Sequence, residues 1–209
     1  PAEINAALSD IAANSSIEEF WITDSSGRAY LTNTGIVFTF AAGSQRQYQA
    51  IHRNPMIHSY PVDYTNLPHN IMQNDKVVSI NNTTQIDLQG QAASESAGTR
   101  HISGTGGQLQ FVRGAYASPG GKSFICMSST YDKKGEPQSR IVSQLTPGNI
   151  VTTPRVDTMY VATEYGIVNL KGKSVSERAK ALISIAHPSF REQLERDARD
   201  KNIICKGFI

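Results

Sequence analysis

Residues 104–127 have the sequence GTGGQLQFVRGAYASPGGKSFICM, which combines glycine-rich turns with a helical segment and a β run. A glycine-rich bend, Gly104–Gly107, comes first, and Gln108–Ala115 is predicted to begin a helix. A β run, Ser123–Met127, follows after a second glycine-containing turn. A helix that precedes a strand in this way is a unit of α/β folds.

Further short β runs lie on both sides of this unit and alternate with turns and helical pieces. They are predicted at Val77–Ile80, Gln85–Leu88, Ile150–Thr153, Tyr160–Thr163 and Ile167–Leu170. Strands separated by helical segments favour an α/β fold over a β-sandwich. We therefore expect an open sheet flanked by helices.

The C-terminal end carries the clearest helix pattern. Ser174 and Glu177 have the spacing of a capping box, in which each residue bonds the backbone N–H of the other. Pro188 ends the first helix and suits the first turn of a second one. The apolar stripe of the two helices is predicted to be Val175, Ala179, Leu182, Ala186, Phe190 and Leu194.

The N-terminal end has a different pattern. A helix is predicted from Ile4 to Ala12, followed by strands at Phe20–Thr23 and Ala29–Thr32. We predict two units: residues 1–34, an atypical helix with a strand pair, and residues 35–209, the main domain.

Composition excludes several classes of function. The chain has 209 residues, 18% of them charged, and a net charge of +2, which argues against a nucleic-acid partner. No apolar run reaches the ~18 residues that a membrane span needs. Cys126 and Cys205 form no disulfide framework or zinc spacing, so we expect a cytoplasmic protein without a metal. Cys126, in an apolar run, is interpreted as a small core residue.

Two glycine-rich stretches resemble phosphate-binding loops, but neither has the full pattern. Gly120-Gly121-Lys122-Ser123 ends like a nucleotide P-loop, yet Tyr116 stands where the first glycine belongs. The bend Gly104–Gly107 lacks the third glycine of a dinucleotide fingerprint. Glycines do allow a backbone to approach a ligand closely, and a helix N-terminus attracts anions. From the residues alone, this bend is a turn or a ligand site with equal support.

Carboxylates offer no clear catalytic group. Asp87, Asp157 and Glu164 lie in or beside β runs, where a structural hydrogen bond is the expected role. Glu18 and Glu19 adjoin a predicted strand and are interpreted as an exposed pair at its edge.

A dense set of short segments runs from about Gly43 to Arg191 and covers most of the chain. It includes Tyr60-Pro61-Val62-Asp63-Tyr64, Val78-Ser79-Ile80-Asn81, Ser103-Gly104, Gly106-Gly107-Gln108, Phe111-Val112-Arg113-Gly114-Ala115, Val151-Thr152-Thr153-Pro154-Arg155, Thr163-Glu164-Tyr165-Gly166-Ile167 and Ala186-His187-Pro188. The set resembles the C-terminal domain of the acetyl-CoA hydrolase/transferase family, of the 4-hydroxybutyrate and butyrate:acetate CoA-transferase type.

This resemblance implies an α/β CoA-transferase fold and a reaction that moves CoA between carboxylic acids through a glutamyl-CoA thioester. CoA and acyl-CoA would be substrates, and no permanently bound cofactor is expected. Gly104, Gly106, Gly107 and Gln108 match the family segment that lies against CoA, and Gly107 is the best single candidate. Thr84 matches a second CoA-contact position that is usually aliphatic.

The resemblance also implies a missing part. In the family, the catalytic glutamate lies upstream of the segment that Gly43 begins, within a His-Thr/Ser-Glu motif. An ungapped count back from Gly43 places that position near Ser9, where this chain has no such motif. The catalytic residue is therefore unknown, and Glu19 would serve only if the chain path differs from the family's. We expect a homodimer or a separate N-terminal domain to complete the site. A non-catalytic CoA-binding or sensing module and an acyl-CoA hydrolase are the alternatives.

Overall fold

The computed structural model describes residues 20–23, 28–32, 35–41 and 43–204. Its helices are α1 Gln45–Ile51, α2 Val62–Thr65, α3 Pro68–Ile71, α4 Gln108–Ala117, α5 Val175–Ser184 and α6 Pro188–Asp200. Its strands are β1 Phe20–Thr23, β2 Arg28–Thr32, β3 Gly35–Phe38, β4 Ile57–Ser59, β5 Val78–Asn82, β6 Gln85–Asp87, β7 Ala92–Ala93, β8 Ser96–Ala97, β9 Arg100–His101, β10 Lys122–Cys126, β11 Thr130–Lys133, β12 Glu136–Ser139, β13 Ile141–Val142, β14 Tyr160–Thr163 and β15 Gly166–Asn169. The mixed order of helices and strands confirms the α/β class.

The central sheet has the strand order β15-β14-β10-β5. Strands β5, β10 and β14 are parallel, and Phe124 lies between Ile80 and Tyr160 in register, while β15 returns antiparallel to β14. The chain crosses from β5 to β10 through α4, which packs against both strands. Because the two strands are parallel, α4 runs back against them and begins at the edge where the strands end. We call this edge the carboxyl edge.

Helices α5 and α6 bury their apolar stripes in one core with the central sheet, and Val112 of α4 joins it. Phe111 and Ala115 of α4 pack with Ile71 and Val77 in a second buried cluster. Ala179, Leu182 and Ala186 are fully buried and Leu194 is nearly so, as the spacing predicts. Fully burying a leucine of this kind stabilises the fold by about 1.5–3 kcal/mol. The capping box also forms, with Glu177 N 3.3 Å from Ser174 Oγ and Ser174 N 2.8 Å from Glu177 Oε2.

Two glycines allow α4 to approach its neighbours closely. A Cβ atom on Gly114 would lie 2.5 Å from the Ile71 side chain, so a side chain here would separate α4 from α3. A Cβ atom on Gly121 would lie 2.0 Å from the Ala115 carbonyl oxygen, which is a backbone atom with little freedom to move. Glycine at these positions fixes how α4 sits on the sheet and how the chain turns into β10.

A second sheet of four strands has the order β1-β2-β3-β4. Strands β1 and β2 match the two strands that were predicted near the N-terminus, and β3 pairs with both β2 and β4. The predicted helix Ile4–Ala12 lies outside the described residues. The division of the chain at residue 34 stays a prediction.

One predicted strand was wrong. Residues Ile150–Thr153 form no strand, and only Thr153 makes an isolated bridge, with Ala92. The backbone of this segment has other partners: the Thr152 and Thr153 N–H groups both donate to the Ala92 carbonyl oxygen, and the Ile150 N–H donates to Ser96 Oγ over 2.8 Å. The side chains of Thr152 and Thr153 join a polar layer. In the part of the chain that the structure describes, the helices lack the length and hydropathy of a membrane span.

Candidate functional site at the carboxyl edge

The glycine bend leads directly into the N-terminus of α4. We refer to Gly104–Gly107 as the glycine loop. Gly106 has a φ of +56°, which favours glycine, and Gly107 is the N-cap of α4 with no side chain capping the helix. The first N–H groups of an α-helix have no partner within it, and they carry the positive end of the helix dipole. The loop therefore presents N–H groups at the carboxyl edge.

The outer side of the glycine loop is open. A Cβ atom on Gly104 or on Gly106 would meet no atom within 4 Å, and both residues are exposed. Gly107, in contrast, is buried. The loop thus has one packed side and one side that a ligand can approach.

The Gln108 side chain fastens the start of α4 to the scaffold. Its Nε2 atom donates to Ser94 Oγ over 2.9 Å and to Thr153 Oγ1 over 3.0 Å, and the residue is only 7% exposed. Because its Nε2 group is committed to these two hydroxyls, the Gln108 side chain positions the start of α4.

Thr84 follows β5 at the same edge, and its hydroxyl is used internally. Thr84 Oγ1 lies 2.6 Å from the Ala93 carbonyl oxygen and 3.0 Å from that of Ser96. These bonds commit its single proton to the scaffold and account for a polar residue at this half-buried position. Segment 93–96 connects Thr84 to the glycine loop. Thr84 bonds the two ends of this segment, and Ser94 within it accepts a hydrogen bond from Gln108.

Beneath the glycine loop lies a buried polar layer that sequence reasoning missed. Glu95 is 5% exposed, and its carboxylate accepts a hydrogen bond from Thr152 Oγ1 over 3.0 Å. The Glu95 carbonyl accepts from Ile102 N and Ser103 N, which lead into the loop. The Ser94 N–H donates to Thr152 Oγ1 over 2.9 Å. In the sequence, this layer could have been suspected from two short polar runs, Ser94–Ser96 and Thr152–Thr153.

The three carboxylates interpreted as structural do make structural hydrogen bonds. Asp87 accepts from Gln91 N and Nε2, and Asp157 accepts from Arg113. Glu164 accepts from Ser129 N over 2.8 Å and from Ser129 Oγ over 2.5 Å. Partial burial raises the pKa of Glu164, but these hydrogen bonds and the charge of His187 outweigh that effect and lower it overall. None of the three points to a nucleophile.

Other predicted features take ordinary structural positions. Lys122 of the rejected P-loop stretch is the first residue of β10. Cys126 is half-buried, and burial raises the pKa of its thiol, which disfavours a reactive thiolate. Cys205, Glu18 and Glu19 lie outside the described residues. Within the described ranges, no three His, Cys, Asp or Glu side chains converge as metal ligands would.

Comparison with known proteins finds similarity over most of the chain. The model of the family described as "Acetyl-CoA hydrolase/transferase C-terminal domain" matches residues 43–198, a range that contains the glycine loop and Thr84. A probable butyrate:acetyl-CoA coenzyme A-transferase from Syntrophomonas wolfei is 56% identical over 171 residues, which are 82% of this chain and 38% of that protein. A succinyl-CoA:cyclohexane-1-carboxylate CoA transferase from Geobacter metallireducens is 52% identical, over 83% of this chain and 39% of its own length.

A solved structure has a similar fold. The crystal structure of RipA from Yersinia pestis superposes with a TM-score of 0.74 at 52% identity, covering 80% of this chain and 37% of that one. The chain therefore spans well under half the length of the relatives it matches.

Proposed function

Because the chain belongs to the acetyl-CoA hydrolase/transferase family, we propose that it binds CoA and acyl-CoA at the glycine loop. It would serve as the CoA-binding part of a CoA-transferase. The observation that supports this proposal most strongly is the open loop at an uncapped helix N-terminus. It lies at the carboxyl edge of parallel strands, where α/β sheets commonly bind ligands.

The proposed chemistry assigns the loop an electrostatic role. In a transferase of this family, a glutamate attacks the acyl-CoA carbonyl, which carries negative charge in the tetrahedral state. CoA leaves as a thiolate, and an acyl-glutamyl anhydride forms. The thiolate then attacks the glutamyl carbonyl, releasing the first carboxylate and forming glutamyl-CoA, and a second carboxylate reverses both steps. Backbone N–H groups of Gly106, Gly107 and Gln108 would stabilise the negative oxygen.

The glutamate is proposed to come from outside this chain's family-matched segment. Three described carboxylates are engaged within the scaffold: Glu95, beneath the loop, with Thr152, Glu164 with Ser129 and Asp157 with Arg113. The parts of the Syntrophomonas and Geobacter proteins that align with this chain make up less than two fifths of each protein's own length. We propose that a separate N-terminal domain or a second copy of the chain completes the site, in the cytoplasm.

A hydrolase is the second candidate, because the family description joins both activities. In a hydrolase, water rather than a second carboxylate would release CoA. The proposed oxyanion contacts at the glycine loop are the same in both cases. The CoA-binding proposal therefore does not depend on which acceptor is used.

Calorimetric titration of the purified chain with CoA and acetyl-CoA tests this proposal. Both ligands should release or absorb heat with one binding site per chain and should raise the melting temperature as ligand concentration rises. ATP is titrated for comparison and should bind more weakly, since it has adenine and phosphates but no pantetheine arm for the loop. No binding of CoA or acetyl-CoA, or binding no tighter than that of ATP, would refute a CoA site at the glycine loop.

A further inference from the structure

The two faces of the central sheet differ in how well they are covered. Helix α4 packs on β5 and β10, α5 packs on β15, and side chains on that face, such as Ile125 and Val161, are fully buried. Alternate side chains along each strand point to the opposite face. That face, which we call the outer face, carries Val78, Ile80, Phe124, Cys126, Tyr160 and Ile167.

The outer face is apolar and accessible. Val78 is 42% exposed, Ile80 is 52% exposed and Ile167 is 62% exposed. Between them, the rings of Phe124 and Tyr160 stack with their centres 4.9 Å apart, and both residues are only half-buried. Parallel sheets of α/β proteins are normally covered on both faces, and a contiguous exposed apolar patch marks a contact surface. We therefore expect the outer face to have an occupant in the folded protein.

The segment that precedes β1 has the sequence pattern of such an occupant. Within residues 1–19, the predicted helix has one apolar stripe at helical spacing, formed by Ile4, Leu8, Ile11 and Ala12. A helix this short is marginal on its own in water, and most of its stability has to come from packing of its apolar stripe. The pattern therefore predicts a helix that needs an apolar surface of its own size.

The position of β1 brings this segment to the edge of the outer face. Strand β1 lies against β5, which is the last strand of the central sheet on that side. A nine-residue helix is about 13.5 Å long, and the distance from β5 to β15 across three strand spacings is about 14 Å. Residues 13–19, between the predicted helix and β1, can span up to about 25 Å. The segment is therefore long enough to reach every strand of the outer face.

Charge favours the same contact. Residues 1–19 contain four acidic residues and no lysine or arginine, the acidic residues being Glu3, Asp10, Glu18 and Glu19. On the sheet, the exposed Lys122 begins β10 on the outer face, and the exposed Lys76 lies just before β5. Opposite charges across a contact orient the partners and disfavour wrong ones. An acidic segment therefore suits this surface better than a basic one.

We propose that residues 1–19 fold back as a helix over the outer face, with Ile4, Leu8 and Ile11 packed against Phe124 and Tyr160. The segment then covers the side of the central sheet that α4 and α5 leave exposed. This assigns a structural partner to the part of the chain that precedes the family match at residue 43. It does not depend on CoA binding, because α4 and the glycine loop that begins it belong to the opposite face.

Disulfide trapping in the full chain tests this arrangement, because Cys126 lies on the outer face. In a Cys205→Ser background, one residue of the stripe at a time is changed, giving Ile4→Cys, Leu8→Cys and Ile11→Cys. Ala6→Cys is the matched control, since it lies two positions before Leu8 and about 200° around the helix. Burial raises the pKa of the Cys126 thiol, so the oxidation is run at alkaline pH. Mass spectrometry of non-reduced digests identifies the linked residues.

At least one of the three stripe variants should form an intrachain disulfide with Cys126, in a yield at least about tenfold above that of Ala6→Cys. A disulfide requires Cβ atoms about 4 Å apart, which only a segment seated on the outer face provides. Disulfide-linked dimers in place of the intrachain product would show that a second copy covers this face, and would overturn the proposal. Equal yields from Ala6→Cys and the stripe variants, or no link to Cys126 from any of them, would overturn it as well.

Discussion

The chain alone is expected to exchange no acetyl groups between acetyl-CoA and acetate, although it binds acetyl-CoA. Covalent transfer requires a carboxylate that can reach the thioester carbonyl. The Glu95 carboxylate, beneath the glycine loop, is hydrogen-bonded to Thr152 Oγ1, and the residue is only 5% exposed. Loss of the nucleophile in a covalent enzyme costs on the order of 10⁶-fold in kcat.

Isotope exchange from labelled acetate into acetyl-CoA measures this directly. The expected rate equals that of the uncatalysed mixture, and the variant Glu19→Gln should behave identically. Glu19 is the informative position because it lies outside the described residues, in the part of the chain that precedes the family match. Exchange by the parent that Glu19→Gln abolishes would contradict the missing-nucleophile account.

Substituting Gly104 by tryptophan is expected to weaken CoA binding about 100-fold, or about 2.7 kcal/mol. The Gly104 Cβ position faces open space, so the indole would occupy the side of the loop that a ligand approaches. The fold should remain intact for the same reason, and the melting temperature should stay close to that of the parent. Calorimetry with CoA measures the affinity.

A control variant with tryptophan at another exposed position distinguishes blocking of the loop from a general effect of adding a large aromatic residue. Ser184→Trp is a matched control, since Ser184 is exposed on α5. It should bind CoA like the parent. Gly104 is preferred to Gly107 because Gly107 is buried, and a tryptophan there would disturb packing as well as the site. Unchanged affinity in a folded Gly104→Trp protein would remove the glycine loop from the CoA site.

Local sequence rules predicted the regular elements well because those elements follow short-range physics. The Ser174–Glu177 box and the stripe through Leu182 depend on spacing alone, and both are confirmed. The same rules failed at Ile150–Thr153. There, two N–H groups share the single Ala92 carbonyl oxygen and a third donates to Ser96 Oγ, and both partners are more than fifty residues away in sequence. The period of an apolar pattern in the sequence carries no information about partners so far away.

The site was predictable only in part for the same reason. Glycines before a helix indicated a possible ligand loop, but not which side of it is open. The open side at Gly104 and the buried clamp from Gln108 to Thr153 arise from tertiary packing. Arg113 and Asp157, 44 residues apart in sequence, likewise pair only because the folded chain brings them together.

The most direct test of the account is to titrate ¹⁵N-labelled protein with CoA and follow the backbone amide resonances. The account predicts that the largest shifts fall on Gly104, Gly106, Gly107 and Gln108, with the amides of β11 and β12 unchanged as an internal reference. Shifts confined to other parts of the chain, with those four amides unmoved at saturation, would contradict a CoA site at the start of α4.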